Sequence, residues 1–184
     1  EVSARFKSLY VVPASQNNPP VIFHRSRDNP RVLFAYFNDL EEGFIHPALA
    51  VLGGMMRDHD IEHELFDTSF WRDKNSPLAE NARQIRERMG EVKKVPGYNP
   101  EREVVDIGEK FREHVERFRP DLIALGATSY EFNEAMNYIT PISRELGIPV
   151  IVGGPHATVA PDRAITHLGV DMMCIGDGEL PLLR

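Results

Sequence analysis

Three short stretches hold the residues of this chain best suited to chemistry or to holding a ligand. They are Gly126-Ala127-Thr128-Ser129-Tyr130, Gly153-Gly154-Pro155-His156-Ala157-Thr158 and Gly176-Asp177-Gly178-Glu179. Each follows an apolar run, so a glycine stands where a strand should end, and the missing Cβ lets a backbone or a flat ligand come close. Gly153-Gly154 suits a plain tight turn equally well, and spacing alone leaves both readings open. Thr128, Ser129 and Thr158 carry hydroxyls that donate and accept hydrogen bonds, while Asp177 and Glu179 carry acceptors. Of the seven histidines, His46 and His156 fall beside such loops. His24, His59, His63, His114 and His167 fall on an arm, turns or helix surfaces, and no role is assigned to them. An acid–base site built from Asp39, Asp67, His156 and Glu179 on a small substrate is a further reading, but nothing in their spacing makes them converge.

Several chemistries are disfavoured by what stands in these loops. A dinucleotide site wants Gly-x-Gly-x-x-Gly after its first strand, whereas residues 37–46, "FNDLEEGFIH", would repel a pyrophosphate. A phospho-receiver domain needs an aspartate at the end of its third strand, where this chain has Gly126-Ala127-Thr128. Cys174 is the only cysteine, so no disulfide or thiolate cluster can form within the chain. The net charge of −7 works against nonspecific attraction to nucleic acid or anionic lipid. No apolar stretch approaches the roughly 20 residues a membrane helix needs, and the start of the chain lacks a signal-peptide core. The expectation is a cytoplasmic protein whose partner is a small molecule or another protein domain.

The elements that must position these loops alternate along the chain. With 184 residues, 42% hydrophobic and 27% charged, one domain with a real core is expected. "RVLFAYF" (31–37) reads as a strand covered on both faces, "DLIALGA" (121–127) as a second buried strand, "PVIVGG" (149–154) and "VDMMCIG" (170–176) as strands, and "IEHELFD" (61–67) as a strand nearer an edge. Helices are expected from Pro47, over residues 103–118 with Val104, Ile107, Phe111, Val115 and Phe118 on one stripe, over 132–147, and briefly after Pro161. Pro141 predicts a kink or break in the third of them. Strands separated by helices imply right-handed crossovers and a doubly wound, five-stranded parallel α/β sheet with the flavodoxin-like, Rossmann-like order 2-1-3-4-5. Ligands of such sheets sit outside the carboxyl ends of the strands. There the loops would be 37–46, 67–70, 126–133, 153–160 and 176–180. Residues 1–29 read as an N-terminal extension and 30–184 as the domain, with a long insertion at about 69–103 carrying a surface helix at "LAENARQIRERM".

Together, "PVIVGGPHATVAP" and "GVDMMCIGDGE" resemble the cobalamin (vitamin B12)-binding domain found N-terminal to the barrel of many radical SAM proteins. "DLIALGATSYEFNEA" and "HPALAVLGGMMRDHDIEHELFD" extend the resemblance to roughly residues 31–182. It implies cobalamin held base-off, with a corrin across the carboxyl ends of the sheet and a nucleotide tail descending between strands and helices. The cofactor-binding residues it suggests are His46, Gly126, Thr128, Ser129, Tyr130, Gly153, Gly154, His156, Thr158, Gly176, Asp177 and Glu179. Cobalamin mutases carry Asp-x-His-x-x-Gly in the first loop, whose histidine ligates cobalt; "DLEEGFIHP" lacks it. No metal ligand is therefore assigned, with His46 the one weak candidate.

Radical SAM chemistry needs Cys-x-x-x-Cys-x-x-Cys for a [4Fe–4S] cluster that binds S-adenosylmethionine. A single cysteine cannot supply it, and the chain stops at "ELPLLR", where a helix should begin. The resemblance thus implies a fragment whose partner is a C-terminal radical SAM domain of the same parent, a methyltransferase or cyclase that holds the cluster and S-adenosylmethionine. The alternative is a degenerate domain that keeps the fold, binds no cobalamin and acts as an interface module. Gly154→Val is expected to fill the ligand's space while sparing the fold.

Overall fold

A computed structural model of the chain describes residues 29–38, 46–75 and 103–183. The expected extension up to residue 28, the acidic part of the first loop (39–45) and the expected helix at 78–89 lie outside the described residues.

Strand β1 (Arg31–Tyr36) is buried from Val32 onward, as its unbroken apolar run requires. Helix α1 (Pro47–Asp58) opens on a proline, whose missing N–H has no partner to lose in a first turn, and returns the chain to β2 (Glu62–Asp67). The short strands β3 (Trp71–Asp73) and β4 (Glu103–Val105) pair in parallel beside the main sheet. Then follow α2 (Ile107–Phe118), β5 (Leu122–Gly126), α3 (Ser129–Leu146) and β6 (Val150–Gly153). Helices α4 (Gly154–Val159) and α5 (Pro161–Ile165), strand β7 (Met172–Met173) and helix α6 (Glu179–Leu182) complete the order. The main sheet has five parallel strands in the order β2-β1-β5-β6-β7. This is the doubly wound, flavodoxin-like α/β sheet expected, with β2 at an edge.

The two faces are filled unequally. Leu33, Ile123, Leu125, Val150 and Val152 meet Phe111 and Val115 of α2 and Phe132, Met136 and Ile139 of α3 in the larger core. Side chains of this size contribute about 1.5–3 kcal/mol each when fully buried. The opposite face is thinner: Val32, Phe34, Ala124, Ile151 and Cys174 pack with Met56, Leu49 and Leu52 of α1 and Leu182 of α6.

Several boundaries differ from expectation, each for a local reason. Val104 is not on a helix; it lies in β4, 62% exposed, and Asp106 starts α2 by accepting from the Glu109 N–H at 2.9 Å. Helix α3 starts at Ser129 rather than 132, because Thr128 and Glu131 form a capping box. Pro141 lies inside that uninterrupted helix, where burial of Phe132, Ala135, Met136, Ile139 and Ile142 outweighs the roughly 3 kcal/mol an interior proline costs. Gly154–Val159, expected as loop, is helical. The last strand is two residues long, although its ladder continues one bond further, from Cys174 N–H to Val152 O at 2.8 Å. The expected insertion contributes β3, which Asp73 anchors by accepting from the Tyr138 hydroxyl of α3 at 2.5 Å.

Candidate functional site

Strand register decides what the thinner face offers to α1. Phe34 pairs with Ala124, and Ala124 with Ile151. Side chains alternate between faces, so two residues further toward the carboxyl ends the same face presents Tyr36, Gly126 and Gly153. Gly126 and Gly153 are themselves register partners, and Cys174 stands beside Gly153. Two adjacent positions thus lack side chains above a row whose centre is only an alanine. Helices α1 and α6 cannot close that gap, and a cavity of about 200 Å³ remains.

Its inner walls are apolar: Phe34, Ala124 and Ile151 from the sheet, Leu49 and Leu52 from α1, and Leu182 from α6. Toward the loops it is lined by His46, Gly126, Gly153, Gly154, Gly176, Asp177 and Glu179. Among the described residues no lysine or arginine lines it. His46 lies just before α1 and meets the Tyr36 ring edge-on, with centroids 5.9 Å apart. Cys174 is 5% exposed, and burial, reinforced by Glu179 and Asp177, pushes its thiol above the usual range. No group of three or more His, Cys, Asp or Glu residues among the described residues is placed to hold a metal ion.

The glycines divide into two kinds. A Cβ built on Gly126 meets nothing within 4 Å, and one on Gly153 meets only Cys174, at 3.8 Å from its Cβ. These two positions leave open the volume that a side chain would fill. Gly154 instead has φ +84° and would bring a Cβ within 3.2 Å of the Ala127 nitrogen. Its glycine is demanded by backbone conformation and a close crossing, so Gly154→Val would strain the fold rather than spare it.

Seven of the twelve residues named from sequence line the cavity: His46, Gly126, Gly153, Gly154, Gly176, Asp177 and Glu179. The other five do not. Thr128 caps α3 and donates its hydroxyl to Glu131 Oε2 at 2.8 Å. Ser129 shares a 3.0 Å hydrogen bond with His156 Nδ1, and Tyr130 is 52% exposed in the first turn of α3. His156 is buried against the α3 side of the sheet, stacked on Phe132 with centroids 4.2 Å apart, and burial lowers its pKa with a further push from Arg163. Thr158 supports the loops: its hydroxyl donates to Gly154 O at 3.0 Å and accepts from the Gly176 N–H at 3.4 Å. The acid–base reading fails on placement. Asp67 accepts from the Ser69 N–H and hydroxyl at 2.8 and 2.6 Å, His156 is turned away from Glu179's cavity, and Asp39 lies outside the described residues.

Sequence reasoning missed the apolar walls. The helix expected from Pro47 presents an apolar stripe that includes Leu49 and Leu52, and these line the cavity together with Val51, which is 53% exposed. The signal was the pair of facing glycines, which tells that such a stripe has nothing opposite it.

No helix among the described residues is long and apolar enough to cross a membrane. Compared with curated proteins and with solved structures, the chain matches none. Residues 78–184 match the family described as the B12 binding domain, so cobalamin is the small-molecule cofactor to which the match points. That stretch contains β5, β6 and β7 with every glycine of the cavity mouth and spans more than half of the sequence; the chain belongs to the B12-binding domain family.

Proposed function

We propose that this chain binds cobalamin base-off, its nucleotide tail entering the slot between the sheet and helices α1 and α6, its corrin resting over the carboxyl ends of the strands. The observation that carries this reading is the open volume over Gly126 and Gly153, into which a side chain at either position would project. Size agrees. An apolar cavity of about 150 Å³ takes up benzene, so one of about 200 Å³ suits an aromatic base and is far too small for a corrin. The macrocycle must then lie outside, where Gly126, Gly153 and Gly176 keep the relief low. Asp177 and Glu179 supply acceptors for corrin amides there.

When bound, cobalamin supplies a cobalt centre able to take part in methyl transfer or radical chemistry. The residues of this chain bind and orient it: the leucines of α1 and α6 exclude water from the tail, and Thr158 ties the Gly154 turn to the Gly176 loop. We further propose that the parent protein carries a radical SAM domain C-terminal to this one, with its [4Fe–4S] cluster and S-adenosylmethionine. The rival reading, an interface module without cofactor, gives no reason for an open slot lined by apolar side chains.

Mixing the purified chain with hydroxocobalamin and removing free ligand by gel filtration tests the binding. Retained corrin bands at base-off positions are expected, and a colourless protein refutes it. Reading the coding sequence beyond Arg184 tests the parent: Cys-x-x-x-Cys-x-x-Cys is expected, and its absence removes the radical SAM proposal.

A further inference from the structure

The slot's lining constrains the chemistry of the base as well as its size. Away from the loops, the described lining includes Phe34, Leu49, Leu52, Ala124, Ile151 and Leu182, and apart from Cys174 it carries no polar side chain. The strand backbones behind them are paired across β1, β5 and β6. The polar groups, His46, Asp177 and Glu179, all stand at the loop end. Cys174, the remaining inner heteroatom, turns its thiol to Asp177 O at 3.6 Å. Among the described residues, a ring entering this slot therefore finds hydrogen-bonding side chains only near the mouth, and a donor or acceptor on its leading edge loses water without replacement from them.

We propose that this site selects cobamides by their lower base, preferring one whose leading edge is hydrocarbon, such as dimethylbenzimidazole, over a purine such as adenine. This rests on the cobalamin reading above. Adenine carries an exocyclic amine and ring nitrogens on the edge that would lead; dimethylbenzimidazole presents two methyl groups. One unsatisfied polar group alone is enough for a preference of about tenfold, and adenine brings more than one.

Equilibrium dialysis of the purified chain against cobalamin, its adenine-bearing analogue and cobinamide, which lacks the nucleotide, tests this. Cobalamin is expected to be held about tenfold or more tighter than the adenine form, with cobinamide also weaker than cobalamin. Equal retention of the two complete cobamides overturns the selectivity and leaves the binding reading standing. Cobinamide held as tightly as cobalamin overturns it too, because the tail then contributes nothing. Retention of none overturns the cobalamin reading and this inference with it. A variant separates chemistry from damage: Ile151→Thr places a hydroxyl on the slot floor and is expected to narrow the ratio between the two cobamides at least severalfold. A ratio unchanged in Ile151→Thr, with both affinities lowered alike, contradicts the proposal.

Discussion

Gly126 and Gly153 are register partners at the carboxyl ends of two adjacent central strands, and both face α1 with no side chain of their own. Neither has a positive φ, and neither would bring a Cβ into a clash. Conformation does not require glycine at either position, which leaves the cavity as the reason for both.

Gly126→Val separates pocket from fold. Valine suits a strand, and removing a strand glycine is worth roughly 0.5–1 kcal/mol in the variant's favour, so thermal unfolding should occur at or above the wild-type temperature. Cobalamin affinity should fall about tenfold or more, a loss of about 1.4 kcal/mol. Visible titration beside a melting curve checks both; unchanged affinity in a folded variant means that the tail does not lie over Gly126.

Gly154→Val should do the reverse. A left-handed backbone costs a residue with Cβ about 1–2 kcal/mol, and the 3.2 Å approach to Ala127 adds to it. A Tm drop of roughly 4 °C or more is expected in the absence of any ligand. A melting curve indistinguishable from wild type would show that the turn relaxes freely.

Much of this was legible before any coordinates. Unbroken apolar runs such as Val32–Phe37 and Val150–Val152 identify strands covered on both faces, and β2, with its alternating charges, identifies an edge; both agree with the sheet order β2-β1-β5-β6-β7. Periodicity is silent about which face a loop residue takes. Ser129 and His156 are close in sequence to cavity glycines, yet Thr128's capping box turns the first onto α3 and Phe132 draws the second to the far side of the sheet. Gly154 looks like its neighbour Gly153 in the sequence; φ and the close approach to Ala127 distinguish them. The helix of Gly154–Val159 was hidden by glycine and proline at its start, residues that read as punctuation until Pro155 is seen in the first turn.

Cys174 offers a reporter at the slot, because it is the sole cysteine and lies beside Gly153. Thiolate, not thiol, reacts, and burial holds this group protonated. At pH 7 a chromogenic disulfide reagent should label the native chain far more slowly than the urea-unfolded one, and saturating cobalamin should slow labelling further. Rapid labelling that cobalamin leaves unchanged would place the thiol outside the site.

His114, His156 and His167 all have pKa values lowered in the folded chain, chiefly by burial, with Arg117, Arg163 and Arg144 respectively adding to it. Around the ordinary histidine range the unfolded chain therefore binds more protons than the folded one. Their contribution is fully present above about pH 6.5 and is lost as pH falls through that range toward the folded values. Each contributes at most about 1.4 kcal/mol per pH unit. Urea midpoints should be lower at pH 5.5 than at 7.5, and His156→Gln should reduce that difference. A midpoint that rises on acidification would contradict the assignment.

The claim on which the account rests is that the volume over Gly126 and Gly153 receives the tail of cobalamin. Titration of the purified wild-type chain with hydroxocobalamin, followed through its visible bands, tests it most directly. One equivalent taken up per chain, with the bands moving to base-off positions, is the result predicted; no saturable uptake, or uptake with an unchanged base-on spectrum, would contradict it.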